Sequence, residues 1–191
     1  MSERVLPRDF YARGPEVVAR ELLGKTLVRV SEGVRFGGVI VETEAYHGEG
    51  DPASRAFHGR KTYNSMMWAE PGLAFVYNVH KYWMLNVIAH GAGEVGGVLF
   101  RAIEPAFGVE AMRVNRPVVR GEELTSGPGK LSLALGVTRA LSGVSVTNGG
   151  SPVHILDAPT LPCATSHRIG VTRDLTEELR FYVPGNAFVS R

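Results

Sequence analysis

Short runs of β-branched and aromatic residues recur along this chain, separated by turns that carry glycine, proline, serine or aspartate. Gly37–Glu44, with Val39, Ile40, Val41 and Thr43, reads as a strand. Thr26–Val30 ahead of it, and Leu73–Val79, Tyr82–Ala89 and Gly97–Ile103 after it, have the same character. Further strands are predicted at Pro152–Leu156, His167–Thr172 and Leu179–Val183. Helical signals are fewer. Glu16–Leu23 lies between Gly14-Pro15 and Gly24, with proline in the first turn and glycine just past the end, where each is best tolerated. Gly108–Asn115, and a stretch from near Pro128 to Gly136, predict two more helices. Between Tyr46 and Trp68 no period holds, and a loop of that length in a compact domain is usually functional or disordered. Sequential strands with a few short helices predict an α+β fold, a single domain over residues 1–191 built on a curved antiparallel sheet. The regular strand–helix alternation of a dinucleotide-binding fold is missing.

Composition narrows the picture only a little. A length of 191 residues fits one domain. The net charge of +2 is too small to announce a nucleic-acid partner by itself, and the preference for arginine over lysine suits phosphate recognition as well as it suits a codon bias. Cys163 is the only cysteine, which excludes a disulfide framework and makes a cytoplasmic location the expectation. No apolar run approaches the roughly 18 residues of a membrane span, and the charged start Met1-Ser2-Glu3-Arg4 is unlike a secretory signal.

Candidate chemistry concentrates in a few segments. In Val41-Glu42-Thr43-Glu44-Ala45-Tyr46 the two carboxylates stand two apart, so on a strand they share one face. An apolar run leading into Glu44 can desolvate that carboxylate, which raises its pKa and makes it a better base. Equally, they are two surface glutamates at the end of an edge strand. The loop Arg55-Ala56-Phe57-His58-Gly59-Arg60-Lys61 is basic enough for Arg60 and Lys61 to grip a phosphodiester, or simply to be solvated. Phe75 to Trp83 carries a cluster of rings that could stack on a base or fill a core. Thr125-Ser126-Gly127-Pro128-Gly129-Lys130 lacks the spacing of a nucleotide-binding phosphate loop, yet Ser126, Gly127 and Lys130 could hold a DNA phosphate at a helix start. The histidines form no His-Glu-x-x-His pair and one cysteine builds no thiolate site, so neither a metal nor another cofactor is expected.

Five segments in order give the chain a resemblance along nearly its whole length. They are Ala19–Lys25, Ile40–Tyr46, Leu99–Pro105, Leu124–Leu131 and Leu179–Gly185, and together they are similar to the alkyladenine (3-methyladenine) DNA glycosylases. The resemblance implies a monofunctional base-excision-repair enzyme that flips alkylated or deaminated purines, such as 3-methyladenine, ethenoadenine and hypoxanthine, out of duplex DNA. It implies Glu44 as the base that activates water, with Arg101 positioning that water. It further implies Tyr46 and Tyr77 as walls of the base pocket, Asn86 as the residue that crowds guanine, and His80 as the wedge left in the duplex. Arg55 stands where the family usually carries a base-binding histidine. A fold like the C-terminal domain of formyltransferases, a monomer, double-stranded DNA with damaged purines as partner, and a bacterial-type cytoplasmic site at the nucleoid are the corresponding expectations. Two other readings stay open. One is a carbohydrate hydrolase using Glu42 with Glu44, although both would flank the same side of a bond. The other is a non-catalytic nucleic-acid-binding module of the formyltransferase type.

Overall fold

A computed structural model describes residues 3–117 and 120–190. Two short helices, α1 (Arg8–Tyr11) and α2 (Pro15–Glu21), lead into β1 (Thr26–Ser31) and the long β2 (Val34–Tyr46). After a loop that ends in a 3-10 turn (Thr62–Trp68) come β3 (Ala74–Val79), β4 (Tyr82–Ile88) and β5 (Gly97–Phe107). Helices α3 (Val109–Asn115) and α4 (Pro128–Ala134) follow, then β6 (Val153–Leu156), β7 (Ala164–Ser166) and β8 (Arg180–Tyr182). All pairings within the sheet's named strands are antiparallel, in the order β3-β4-β5-β2-β1-β6, with β8 attached to β2 and β7 to β8. The expected α+β fold, a curved antiparallel sheet with a few short helices, is the fold observed.

The segment His167–Thr172 is not a strand. The strand there is Ala164–Ser166, and the residues after it form a loop whose polar groups are used elsewhere. The alternation around Ile169 and Val171 gave the wrong period because Arg168, just before them, is buried in ion pairs rather than facing solvent.

Strand β2 organises the sheet. Along one edge it pairs with β5 from Gly37 to Tyr46; along the other it pairs with β1 up to Val39 and then with β8 at Glu42–Glu44. It is therefore flanked on both sides where the glutamates lie. Gly37 and Gly38 permit this crowding, because a Cβ would come within 2.1 Å of Leu27 O at the first and 2.0 Å of Glu104 O at the second. The main core lies on the face that carries Ile40, Ala74, Val76, Leu85, Val87 and Phe100, closed by Leu22 before β1 and by Leu131 and Ala134 of α4. On that face the Thr43 hydroxyl donates to the Ala19 carbonyl in α2 (2.8 Å). Alternate residues point the other way, as a pleated strand requires. There Phe75 and Ile88 pack against Ala56 and Met67 of the long loop, with Tyr77 beside them.

The loop from 47 to 61 is ordered by two buried polar side chains. Asp51 accepts from the backbone N–H groups of His47 and Ala53 (both 3.0 Å). Asn64 donates to the Arg55 and Gly59 carbonyls (2.7 and 3.0 Å) and accepts from the Lys61 N–H (2.6 Å). Each satisfies loop backbone that would otherwise be left unpaired on the sheet.

Candidate active site

Because Glu42, Glu44 and Tyr46 are two residues apart on β2, all three project from the face opposite the main core. Arg101 joins them through a bulge. Glu42 pairs with Ala102 and Thr43 with Phe100, so β5 carries one more residue than β2 at this point, and that residue is Arg101. A bulge is a standard way to re-aim one side chain out of a regular ladder.

Glu44 is fully buried, not on an edge. Its Oε1 accepts from the Ile169 backbone N–H (2.8 Å) and lies 3.0 Å from Arg101 Nη1; its Oε2 accepts from the Tyr46 hydroxyl (2.8 Å). Burial raises its pKa, and although Arg101, Ile169 and Tyr46 all favour the anion, the carboxyl stays above the ordinary glutamate value. A carboxylate has about four acceptor positions, so three donors leave one open at Oε2. The Tyr46 hydroxyl is pushed well up, first by burial and then by the Glu44 charge.

Glu42, two residues earlier and equally buried, behaves oppositely. Its Oε1 accepts from Arg101 Nε, Arg180 Nε and the Ser190 hydroxyl, and its Oε2 from the Ser190 N–H, each at 2.7 Å. Burial alone would raise its pKa, but the Arg101 charge and these hydrogen bonds outweigh it and hold the carboxyl below the ordinary value. Ser190 accepts in turn from Arg101 Nη2 (3.1 Å), and its carbonyl accepts from Arg180 Nη2 (2.8 Å). Arg101 is thus fixed between both carboxylates, which keep its own pKa raised against burial.

Beside Glu44 lies a small cavity lined by Tyr46, Arg55, Met67, Phe75, Tyr77 and Asn86. Its open volume is only about 10 Å³, room for roughly one water. Asn86 donates to the Phe75 and Met84 carbonyls (both 3.1 Å), so its amide cannot swing aside. Each tyrosine wall carries a guanidinium. Arg168 Cζ lies 4.5 Å from the Tyr46 ring centre and Arg55 Cζ 4.4 Å from that of Tyr77. Arg168 is locked in place by Asp51 (both contacts 2.7 Å), Asp174 and the Ala45 carbonyl.

The remaining expected site residues lie outside the lining of this cavity. His80, exposed and at φ 54°, occupies the two-residue turn between β3 and β4. Arg60 and Lys61 are exposed on the ordered loop. Ser126, Gly127 and Lys130 line a second, larger cleft of about 810 Å³ that reaches Arg101 and Ser190 and also contains Arg120, Glu122 and Glu123. Helix α4 touches strand β4 through Gly129, where a Cβ would come within 3.1 Å of the Tyr82 ring. Arg168, Ile169, Arg180 and Ser190 were not among the sequence-based site residues. Only Arg180 lay in a segment that carries the resemblance, Arg168 and Ile169 lay in the segment expected as a strand, and nothing local to these two or to Ser190 signals their roles. Among the described residues, no group of three or more metal-ligating side chains is present, and no helix is long and apolar enough to cross a membrane.

The sequence pattern of the methylpurine-DNA glycosylase family matches residues 9–187. Three similar relatives each bear the name "Putative 3-methyladenine DNA glycosylase". That of Aeropyrum pernix is 43% identical over 98% of this chain and 94% of its own length. That of Methanocella arvoryzae is 43% identical over 98% and 96%. The protein from Koribacter versatilis is 39% identical over 97% and 92%.

Proposed function

The chain belongs to the methylpurine-DNA glycosylase family, and on that premise we propose that it removes alkylated and deaminated purines from duplex DNA by hydrolysing the N-glycosidic bond. The observation that carries this reading is Glu44: a buried carboxylate with a raised pKa and one free acceptor position, beside an aromatic cavity. A water received at that position loses its proton to Glu44 as it attacks the sugar. Departure of the base develops positive charge at C1′, which the anionic carboxylate stabilises. Arg101, fixed through Glu42 and Ser190, orients the water and favours the ionised form of Glu44 against its burial.

The flipped base stacks between Tyr46 and Tyr77, at the cost of unstacking, which is smaller for damaged or mispaired bases. Asn86, whose nitrogen is committed to two carbonyls, crowds the 2-amino group of guanine and so protects the normal base. His80, at the exposed tip of its hairpin, fills the gap in the duplex. Arg60, Lys61, Ser126, Gly127 and Lys130 take the flanking phosphates. The enzyme acts as a monomer in the cytoplasm, at the nucleoid, and needs no cofactor.

The test is release of base from duplexes carrying 3-methyladenine, ethenoadenine or hypoxanthine, read as alkali-cleavable abasic sites. Release from at least one, without a borohydride-trapped protein–DNA adduct, is expected. Binding to all three with no release would leave the non-catalytic module as the better reading, and a trapped adduct would mean a lysine nucleophile.

A further inference from the structure

We propose that Arg55 sets the charge preference of the base pocket, favouring neutral purine lesions that carry a carbonyl acceptor over purines that carry a fixed positive charge. The inference rests on the glycosylase reading and deepens it.

Both tyrosine walls are covered by a guanidinium, but the two are not equivalent. The Arg168 side chain is fully buried and paired with two aspartates, so its charge is compensated and it backs Tyr46 permanently. Arg55 is an exposed residue on the loop, and among the described residues no carboxylate oxygen lies within 4.0 Å of its guanidinium. Its contacts are with the ring and the side-chain oxygen of Tyr77. It is therefore a cation placed at the pocket without a neutralising partner.

A purine does not fit the cavity as it stands, since the open volume is about 10 Å³. Met67, Phe75 and Asn86 are buried, and Tyr46 is held by Glu44 and Arg168. Arg55 is the exposed member of the lining, and so the group that yields when a base enters. Displaced from the ring face, the guanidinium lies at the edge of the incoming base. It has donors only and no acceptor, and it keeps its charge at any accessible pH. A base with a carbonyl or an unmethylated ring nitrogen at that edge receives a charge-assisted hydrogen bond. A cationic N-alkylpurine instead takes over a ring face that a cation already uses, and leaves two like charges side by side in a poorly hydrated site. At such separations the repulsion is worth on the order of tenfold in preference.

The experiment measures single-turnover release of hypoxanthine from a defined duplex and of 3-methyladenine from methylated DNA, for the wild type, Arg55→Gln and Arg55→Lys. Arg55→Gln should shift the ratio of the two rates by about tenfold towards 3-methyladenine, while Arg55→Lys, which keeps the charge, should hold the ratio within about threefold of the wild type. An unchanged ratio in Arg55→Gln, or Arg55→Lys behaving like Arg55→Gln, would overturn the assignment to charge. If the wild type released neither base the glycosylase reading itself would fail, an outcome distinct from an active enzyme whose ratio ignores residue 55.

Discussion

Glu42 and Glu44 stand on the same face of the same strand, both fully buried and both in contact with Arg101, yet their ionisation is pushed in opposite directions. The region around Glu42 supplies four hydrogen bonds from three residues, two of them arginines, and every one favours the anion. The region around Glu44 supplies two donors besides Arg101, one a backbone N–H and one a phenol, and leaves one acceptor position unfilled. Burial is common to both sites; the number and charge of donors decide which way the balance falls. A carboxylate clamped by two guanidiniums is a structural anion, and one beside it with fewer charged donors can accept a proton. The carbohydrate-hydrolase alternative loses support on this ground, because Glu42 is fully buried and clamped by Arg101, Arg180 and Ser190.

The comparison can be broken most sharply by activity. Glu44→Gln should lower excision by at least about a hundredfold, the lower end of what a positioned general base contributes, with binding of lesion DNA retained. Glu42→Gln should reduce excision less, through misplacement of Arg101. If the two variants lost equal activity in single-turnover assays, the division between base and anchor would not hold.

Stability should show the reverse order. Removing the Glu42 charge leaves Arg101 and Arg180 buried without their shared partner, which costs roughly 3 kcal/mol or more in urea unfolding at neutral pH. Glu44→Gln should cost nothing there or stabilise, because the wild-type anion is held against its desolvation. A large loss in Glu44→Gln would mean that its environment favours the anion more than its raised pKa indicates.

The pH dependence separates the two with a smaller signal but a clear sign. The folded pKa of Glu42 is depressed, so its contribution to stability is present above the ordinary glutamate pKa and is lost as pH falls through the folded value. The gap between wild type and Glu42→Gln should therefore close on acidification. The folded pKa of Glu44 is raised, so its favourable share is present at low pH and lost as pH rises, and Glu44→Gln should gain on the wild type in that direction. The acid limb of the excision rate should correspondingly lie above the ordinary glutamate range. Parallel stability curves for the two variants would contradict the opposite shifts. The smallest effect belongs to Ser190→Ala, which removes a hydroxyl that accepts from Arg101 and donates to Glu42. A loss of about 1 kcal/mol is expected, with a few-fold drop in excision at unchanged DNA affinity; a drop in affinity instead would place Ser190 in DNA contact.

Much of this was legible from residue order. The β-branched run into Glu44 and the proline and glycine at the ends of α2 gave the sheet and a helix correctly, because those signals are local. The burial of the glutamates was not local: β2 could equally have been an edge strand until β8, more than 130 residues later, was seen to cover it. Arg101 becomes available through a bulge that neither flanking residue announces. Arg168 was misread for a related reason, since its principal partner Asp51 lies 117 positions away and an alternating segment looks like a strand when its arginine is assumed to face water. Long-range charge pairing and bulges remain invisible to periodicity, and both converge on this site.

The docking of β8 and of Ile169 and Ser190 onto β2 also sets an order of events during synthesis and unfolding. The strands from β1 to β6 can assemble before residues 164–190 have left the ribosome, but Glu44 then lacks its backbone donor and Glu42 lacks Arg180 and Ser190. A nascent chain would present the basic loop and the hairpin without a working centre, able to touch DNA but not to release a base. Detachment of the same segment in the mature protein, as a partial opening below global unfolding, would silence the enzyme while the main sheet survived. Hydrogen exchange at Ile169 and Ser190 would then report the lifetime of the competent state more directly than any melting temperature.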